Sequence, residues 1–274
     1  MFNILKSYWI RTKRTPSRMV IILCPLLFTG LFIVYLLSST SLKGVELAYF
    51  FGAYTTLAGF SISFFIPMLY ESDKKAGIYA NDLRIGICRK KLFFAKYLFI
   101  FILLITIEGI VLLPFLLFLY FHGIKIQISD LEVYTMIGSV GLISMVPFYQ
   151  FLSLKFDYTG SILPGTIFTL AAVLLGTTDL GSGIWYYFPF VYPIRLLYGY
   201  VCRSFNLNTI VFYLFLSFFI SFVSVGICSF WYNQWDGISK MEEYAWSQPM
   251  SATVFTLGNN FTISSIRLCK NSSF

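Results

Sequence analysis

Six apolar stretches of hydrocarbon length leave this chain few ways to fold. They run roughly Met19–Leu37, Leu47–Leu69, Tyr97–Phe121, Val133–Leu152, Ile162–Thr178 and Thr209–Trp231. A bilayer core of about 30 Å takes about 20 apolar residues in a helix. Unpaired backbone polar groups cannot face lipid, so an open chain must cross as helices. The composition agrees. Charged residues make up 12% of the 274 and apolar residues 58%, with mean hydropathy +0.77. Soluble domains carry about 25% charged residues. The expected fold is an all-α integral membrane protein with six transmembrane helices. The fifth is short, and Pro164 is a candidate break in it.

Charge sets the orientation. The net charge of +8 would suit nucleic acid if it were spread over one face, but it is clustered. With the N-terminus inside, segments 1–18, 71–96, 153–160 and the tail from Asn233 hold five, seven, one and three Lys/Arg, sixteen in all. The outer segments hold four: Lys43, Lys125, Arg195 and Arg203. Basic residues accumulate in cytosolic loops, so both termini are expected in the cytosol and no nucleic-acid partner is expected. The expected location is the plasma membrane of a bacterium, as a multi-pass protein.

Two further elements flank the spans. On a helical wheel Met1, Phe2, Ile4, Leu5, Tyr8 and Trp9 share one side, while Lys6, Arg11, Lys13 and Arg14 share the other. That pattern predicts an interfacial elbow helix, and an ordinary basic flank is the alternative. Before the last span, GSGIWYYFPFVYPIRLLYGYVCRSFN is too apolar for a free loop and is interrupted by Pro189 and Pro193. It reads as a re-entrant outer segment at the depth aromatic side chains prefer. A seventh short span is the other reading. The domains are then 1–238, the six-span unit, and 239–274, a cytosolic tail of unknown role.

Catalytic signatures are missing. No Gly-Lys-Ser or Gly-Lys-Thr exists, so there is no P-loop for ATP, and neither HExxH nor GxSxG occurs. The chain reads as no enzyme. A metal site needs several converging ligands, and the single histidine, His122, offers no such set. The five cysteines, Cys24, Cys88, Cys202, Cys228 and Cys269, form no CxxC pair. Glu108 is the one ionisable residue near the middle of a span, where burying a charge is expensive. It belongs to a pathway or interface, or it is a neutral structural carboxyl. Ser217, Ser221, Ser224 and Cys228 form a small-residue stripe on the last span, as Gly52, Thr56 and Gly59 do on the second. Such stripes let helices approach closely. Packing within the chain or between copies is one reading, and a substrate-lining face is the other.

Between the second and third spans lies YESDKKAGIYANDLRIGICRKKLFFAK, with seven Lys/Arg against three acids. Acids lead and bases follow, which suits the dipole of a short cytosolic helix, and Gly77 can end or bend it. A plain solvated loop is the alternative.

These features together resemble the permease subunits of ABC-2 type exporters. The resemblance rests on the six-span plan, the elbow helix, Glu71-Ser72-Asp73-Lys74-Lys75-Ala76-Gly77, and Arg89-Lys90-Lys91 through Lys96-Tyr97. The size and the DKKAG form are similar to the small permeases of lantibiotic immunity and peptide-antibiotic resistance in Gram-positive bacteria. The resemblance implies that a separate ATPase subunit binds ATP and Mg²⁺ and grips a coupling helix at Glu71, Asp73, Lys74, Lys75 and Gly77. This chain itself then needs no cofactor. It further implies a second permease copy or paralogue, and an amphipathic peptide expelled from the lipid bilayer. Export of an ion, lipid-linked sugar or drug, or a scaffold or signalling role without transport, remain the alternatives.

Overall fold

The computed structural model describes residues 2–12, 17–39, 42, 44–75, 88–124 and 126–235. Within them every regular element is helical. In chain order these are α1 (Phe2–Thr12), α2 (Ser17–Ser38), α3 (Glu46–Lys75), α4 (Arg89–Phe121), α5 (Ile128–Ile143) and α6 (Val146–Thr177). Three single 3-10 turns follow between Asp179 and Val191, then α7 (Tyr192–Val201) and α8 (Leu207–Gln234). The chain divides into two units, 1–234 and 235–274. The expected cytosolic tail, 239–274, lies outside the described residues, as do Met1, Lys13 and Arg14 of the N-terminal wheel.

Five helical stretches are long and apolar enough to cross a membrane: Ser17–Ser38, Glu46–Glu71, Arg89–Phe121, Ile128–Thr177 and Leu207–Gln234. Their outward faces are aliphatic and aromatic, as Leu23, Leu27 and Leu31 of α2 and Phe215, Phe222 and Ile227 of α8 illustrate. So much exposed apolar surface marks contact with lipid. With ten residues α7 rises about 15 Å, half a bilayer core, so it is no seventh span.

The fourth stretch is not one rod. Ser144 and Met145 interrupt it, and inside α6 Asp157 has φ 60° and ψ −149°. A straight helix would separate Phe148 from Phe168 by about 30 Å. Their ring centroids are 5.6 Å apart. The chain therefore folds back at Asp157, and the limb from Tyr158 to Thr177 runs alongside the limb before it. The reversal falls within 153–160, the inner segment expected between the fourth and fifth spans, whereas at Pro164, the candidate break in the fifth, the helix continues. Pro164 lies early in the returning limb, and the reversal happens at an aspartate seven positions upstream.

Pairings between helices give the layout two ends. At the α1 end, Asp157 meets Lys74 of α3 and Tyr158 meets Glu71. At the α7 end, Tyr200 meets Asp130 at the start of α5. Between them Ser217 of α8 reaches Val140 and Gly141, Ser221 reaches Ile143, and Phe151 packs on Trp231. The limb up to Asp157 thus runs parallel to α8, and the returning limb antiparallel to it. From Pro193 against Gly141 up to Tyr200 beside Asp130, α7 occupies the bundle between α3, α5 and α6.

Two prolines explain where the buried serines point. Pro67 in α3 has no N–H, so the Ser63 carbonyl four residues back loses its helical donor. Ser161 Oγ donates to it at 2.7 Å, and Gly165 presses close enough to Ser63 that no side chain would fit there. Pro147 likewise deprives the Ile143 carbonyl, and Ser221 Oγ donates to that oxygen at 3.1 Å. Away from water each orphan carbonyl would be expensive, so the serines are the compensation. The core nearer the α7 end is aromatic. Phe50 stacks on Phe115 with centroids 3.7 Å apart, and Phe51 on Tyr134 at 5.3 Å.

Candidate functional site

At the α1 end the structure gathers charges that the sequence scatters. Asp73 is 6% exposed and Lys96 is 5% exposed. They form an ion pair, and Arg11 Nη1 donates to the other oxygen of Asp73 at 3.0 Å. Tyr70 packs beneath, with Lys96 Nζ 3.5 Å from its ring centroid, and Tyr8 lies near both cations. An ammonium above a phenol face gains from the ring quadrupole, most when water is excluded. Gln150 Nε2 donates to the Tyr70 hydroxyl, which joins α6 to the cluster. One carboxylate so binds α1, α3 and α4 together.

The sequence placed Arg11 on the headgroup side of α1, but here its guanidinium turns inward to Asp73. Tyr8 and Thr12 of α1 are buried, and Trp9 is exposed with Arg18 over its ring. Of the residues read as an ATPase-coupling set, Asp73 is interior. Glu71 accepts from the Tyr158 hydroxyl at 2.8 Å, and Lys74 pairs with Asp157 at 3.0 Å. The side chain of Lys75, and Gly77 with the rest of 76–87, lie outside the described residues.

Glu108 sits in the middle of α4, 5% exposed, and its Oε1 bonds no described residue. It points at Gly138 of α5, beside the Tyr54 ring. Ser217 and Ser221 are fully buried and donate to α5 carbonyls, and Tyr97 OH shares a 2.8 Å bond with Ser221. They are packed inside this chain. The buried row on α8 is Ser217, Ser221, Val225 and Ser229, whereas Ser224 and Cys228 stand to one side of it. The stripe on α3 is also internal: a Cβ added at Gly52 would lie 3.8 Å from Leu197, and one at Gly59 3.7 Å from Leu142.

A third place carried no sequence signal. At the α7 end a cavity of about 490 Å³ opens among the starts of α3 and α5, the end of α4, and α7 with the turn after it. Glu46, Gln127, Asp130, Tyr134, Tyr200 and Arg203 supply its polar lining. Burial first, and then the hydrogen bond to Asp130, push the Tyr200 phenol up to about 12. It is therefore a neutral donor to Asp130 Oδ1, at 2.7 Å. Arg203 reaches the rim because it caps α7 in the left-handed conformation, φ 54°. These residues come from separate segments, so no local motif announces them.

Fold and lipid-facing surface together define an all-helical membrane protein. Compared with family models, curated proteins and solved structures, the chain matches none.

Proposed function

We propose that this chain is the permease subunit of an ATP-driven exporter of the ABC-2 type, which expels a membrane-active peptide of the lantibiotic kind. The observation that carries the reading is the bracing at the foot of α3. Asp73 is held by Arg11 of α1 and Lys96 of α4, while Glu71 and Lys74 are held at the reversal by Tyr158 and Asp157. A push on the basic loop after α3 would reach three other parts of the molecule through ion pairs and hydrogen bonds. A lever gripped by a separate ATPase needs that stiffness.

In this reading the reversal at Asp157 divides Ile128–Thr177 into two crossings, which makes six spans. Both termini and the α1 end face the cytosol of a bacterial cell, and α1 lies as an elbow at the inner surface. α7 is the re-entrant outer segment. ATP and Mg²⁺ belong to the partner subunit. The permease works as a pair with a second copy or paralogue, on a peptide already concentrated in the outer part of the bilayer.

The test is co-expression with the partner ATPase, followed by partition of a lantibiotic between cells and medium. Transport should lower the cell-bound fraction. Glu71→Lys and Gly77→Val should abolish that effect while the protein stays in the membrane at normal level. Unchanged partitioning across a panel of lantibiotics and bacitracin-like peptides would sink the peptide-export reading.

A further inference from the structure

We propose that the cavity at the α7 end binds a lipid headgroup that carries both a phosphate and a primary amine. Its two carboxylates are each half engaged. Glu46 Oε2 accepts the Gly44 N–H at 3.0 Å, and Asp130 Oδ1 accepts the Tyr200 hydroxyl at 2.7 Å. Glu46 Oε1 and Asp130 Oδ2 bond nothing among the described residues. Tyr134 is 6% exposed and lines the same cavity, and its hydroxyl has no hydrogen-bond partner among the described residues. It sits one helical turn below Asp130. Long side chains on a helix lean toward its N-terminus, so this phenol leans toward that carboxylate.

An ammonium group answers this arrangement. It brings three donors and no acceptor, which matches two carboxylate oxygens and a phenol oxygen. Tyr134 and Tyr200 meet edge to face with centroids 5.4 Å apart, and aromatic walls favour a cation. The helix dipoles of α3 and α5 account for acids in their first turns. They account neither for the unbonded Tyr134 hydroxyl nor for Arg203.

Arg203 decides between a plain cation and a zwitterion. It is exposed at the rim and forms no ion pair among the described residues. A simple amine entering the cavity would be repelled by it. A phosphate joined to that amine would instead be met by the guanidinium, whose planar fork suits phosphate oxygens. Position selects a lipid over a soluble zwitterion. The cavity lies where α3 and α5 begin and α4 ends, at the limit of the apolar stretches and hence at headgroup depth. A lipid arrives there already oriented, with its chains in the bilayer. The proposal does not depend on export.

The experiment uses the full-length protein purified in neutral detergent. It is titrated with short-chain phosphatidylethanolamine, phosphatidylglycerol of the same chains, an alkylamine and a lysine-rich peptide. Binding is read from the shift in the unfolding midpoint with concentration. Phosphatidylethanolamine should bind about tenfold more tightly than each of the others, a gap that one charge-assisted contact can supply. Glu46→Gln and Asp130→Asn should each reduce that affinity about tenfold, and Tyr134→Phe should reduce it less. Arg203→Gln should bring phosphatidylethanolamine down to the level of the alkylamine. Equal binding of both phospholipids would overturn the proposal. So would an alkylamine or lysine peptide as tight as phosphatidylethanolamine, since that makes the cavity a cation site. If the carboxylate variants do not fold, exposed Arg203 still decides: unchanged phosphatidylethanolamine binding in Arg203→Gln overturns it.

Discussion

Glu108 owes its place to a missing side chain. A Cβ at Gly138 would lie 2.6 Å from Glu108 Oε1 and 3.4 Å from the Tyr54 ring. Gly138→Ala should therefore destabilise the protein by about 1–3 kcal/mol, the usual cost of overpacking. In a Glu108→Ala background the clash with the carboxyl is gone and most of that penalty should vanish. The two changes should couple by about 1 kcal/mol or more. Unfolding of all four proteins in one detergent measures it, and strict additivity would show that the two residues do not meet. Glu108 itself was legible, because a lone carboxyl in an apolar run is conspicuous. Its glycine was not, since Gly138 is one small residue among several in α5. The Asp73 cluster shows the same limit. Asp73 and Arg11 stand 62 positions apart, and wheel logic sent the guanidinium to lipid headgroups. A closer acid within the fold outweighs that preference. Asp73→Asn would leave Lys96 buried with an uncompensated charge, at a cost of about 3–5 kcal/mol. Adding Lys96→Met should restore much of the lost stability, as read from the unfolding midpoint.

At the scale of helices, the reversal inside α6 makes the sharpest prediction. Asp157 holds φ 60° and ψ −149°, a region close to glycine-only, where another residue costs about 1–3 kcal/mol. Its side chain offsets part of this by pairing with Lys74, but that pair is partly solvated and is worth about 0–1 kcal/mol. Asp157→Gly should thus be neutral to stabilising, and Asp157→Ala destabilising, since alanine keeps the strain and loses the pair. Thermal unfolding of the two variants separates them, and the reverse order would refute the strain. The sequence disclosed most helices, because length and apolar content alone demand them. It also placed this turn, since segment 153–160 between the fourth and fifth apolar stretches contains Asp157. Pro164 was the misleading cue: early in a limb whose neighbours supply the packing, it fits without breaking the helix. The cavity at the α7 end was invisible for another reason. Glu46, Asp130 and Arg203 are brought together only when three loops converge.

For the molecule as a whole, the proposed orientation sets which cysteines a membrane-impermeant reagent can reach. Cys202 and Cys88 are both exposed, at opposite ends of the bundle. In intact cells Cys202 should be labelled, and Cys88 and Cys269 only after permeabilisation. Labelling of Cys269 from outside would reverse the last crossing. The proline–serine pairs bear on how such a bundle is made in time. Ser63 waits 98 residues of synthesis for the hydroxyl of Ser161, and Ile143 waits 78 for that of Ser221. During translation, α3 stands complete with an unmet carbonyl while the chain that will satisfy it has yet to leave the ribosome. The two carbonyls are covered in chain order, that of α3 once α6 exists and that of α5 once α8 exists, so the order in which the chain is made is also the order in which these defects can close.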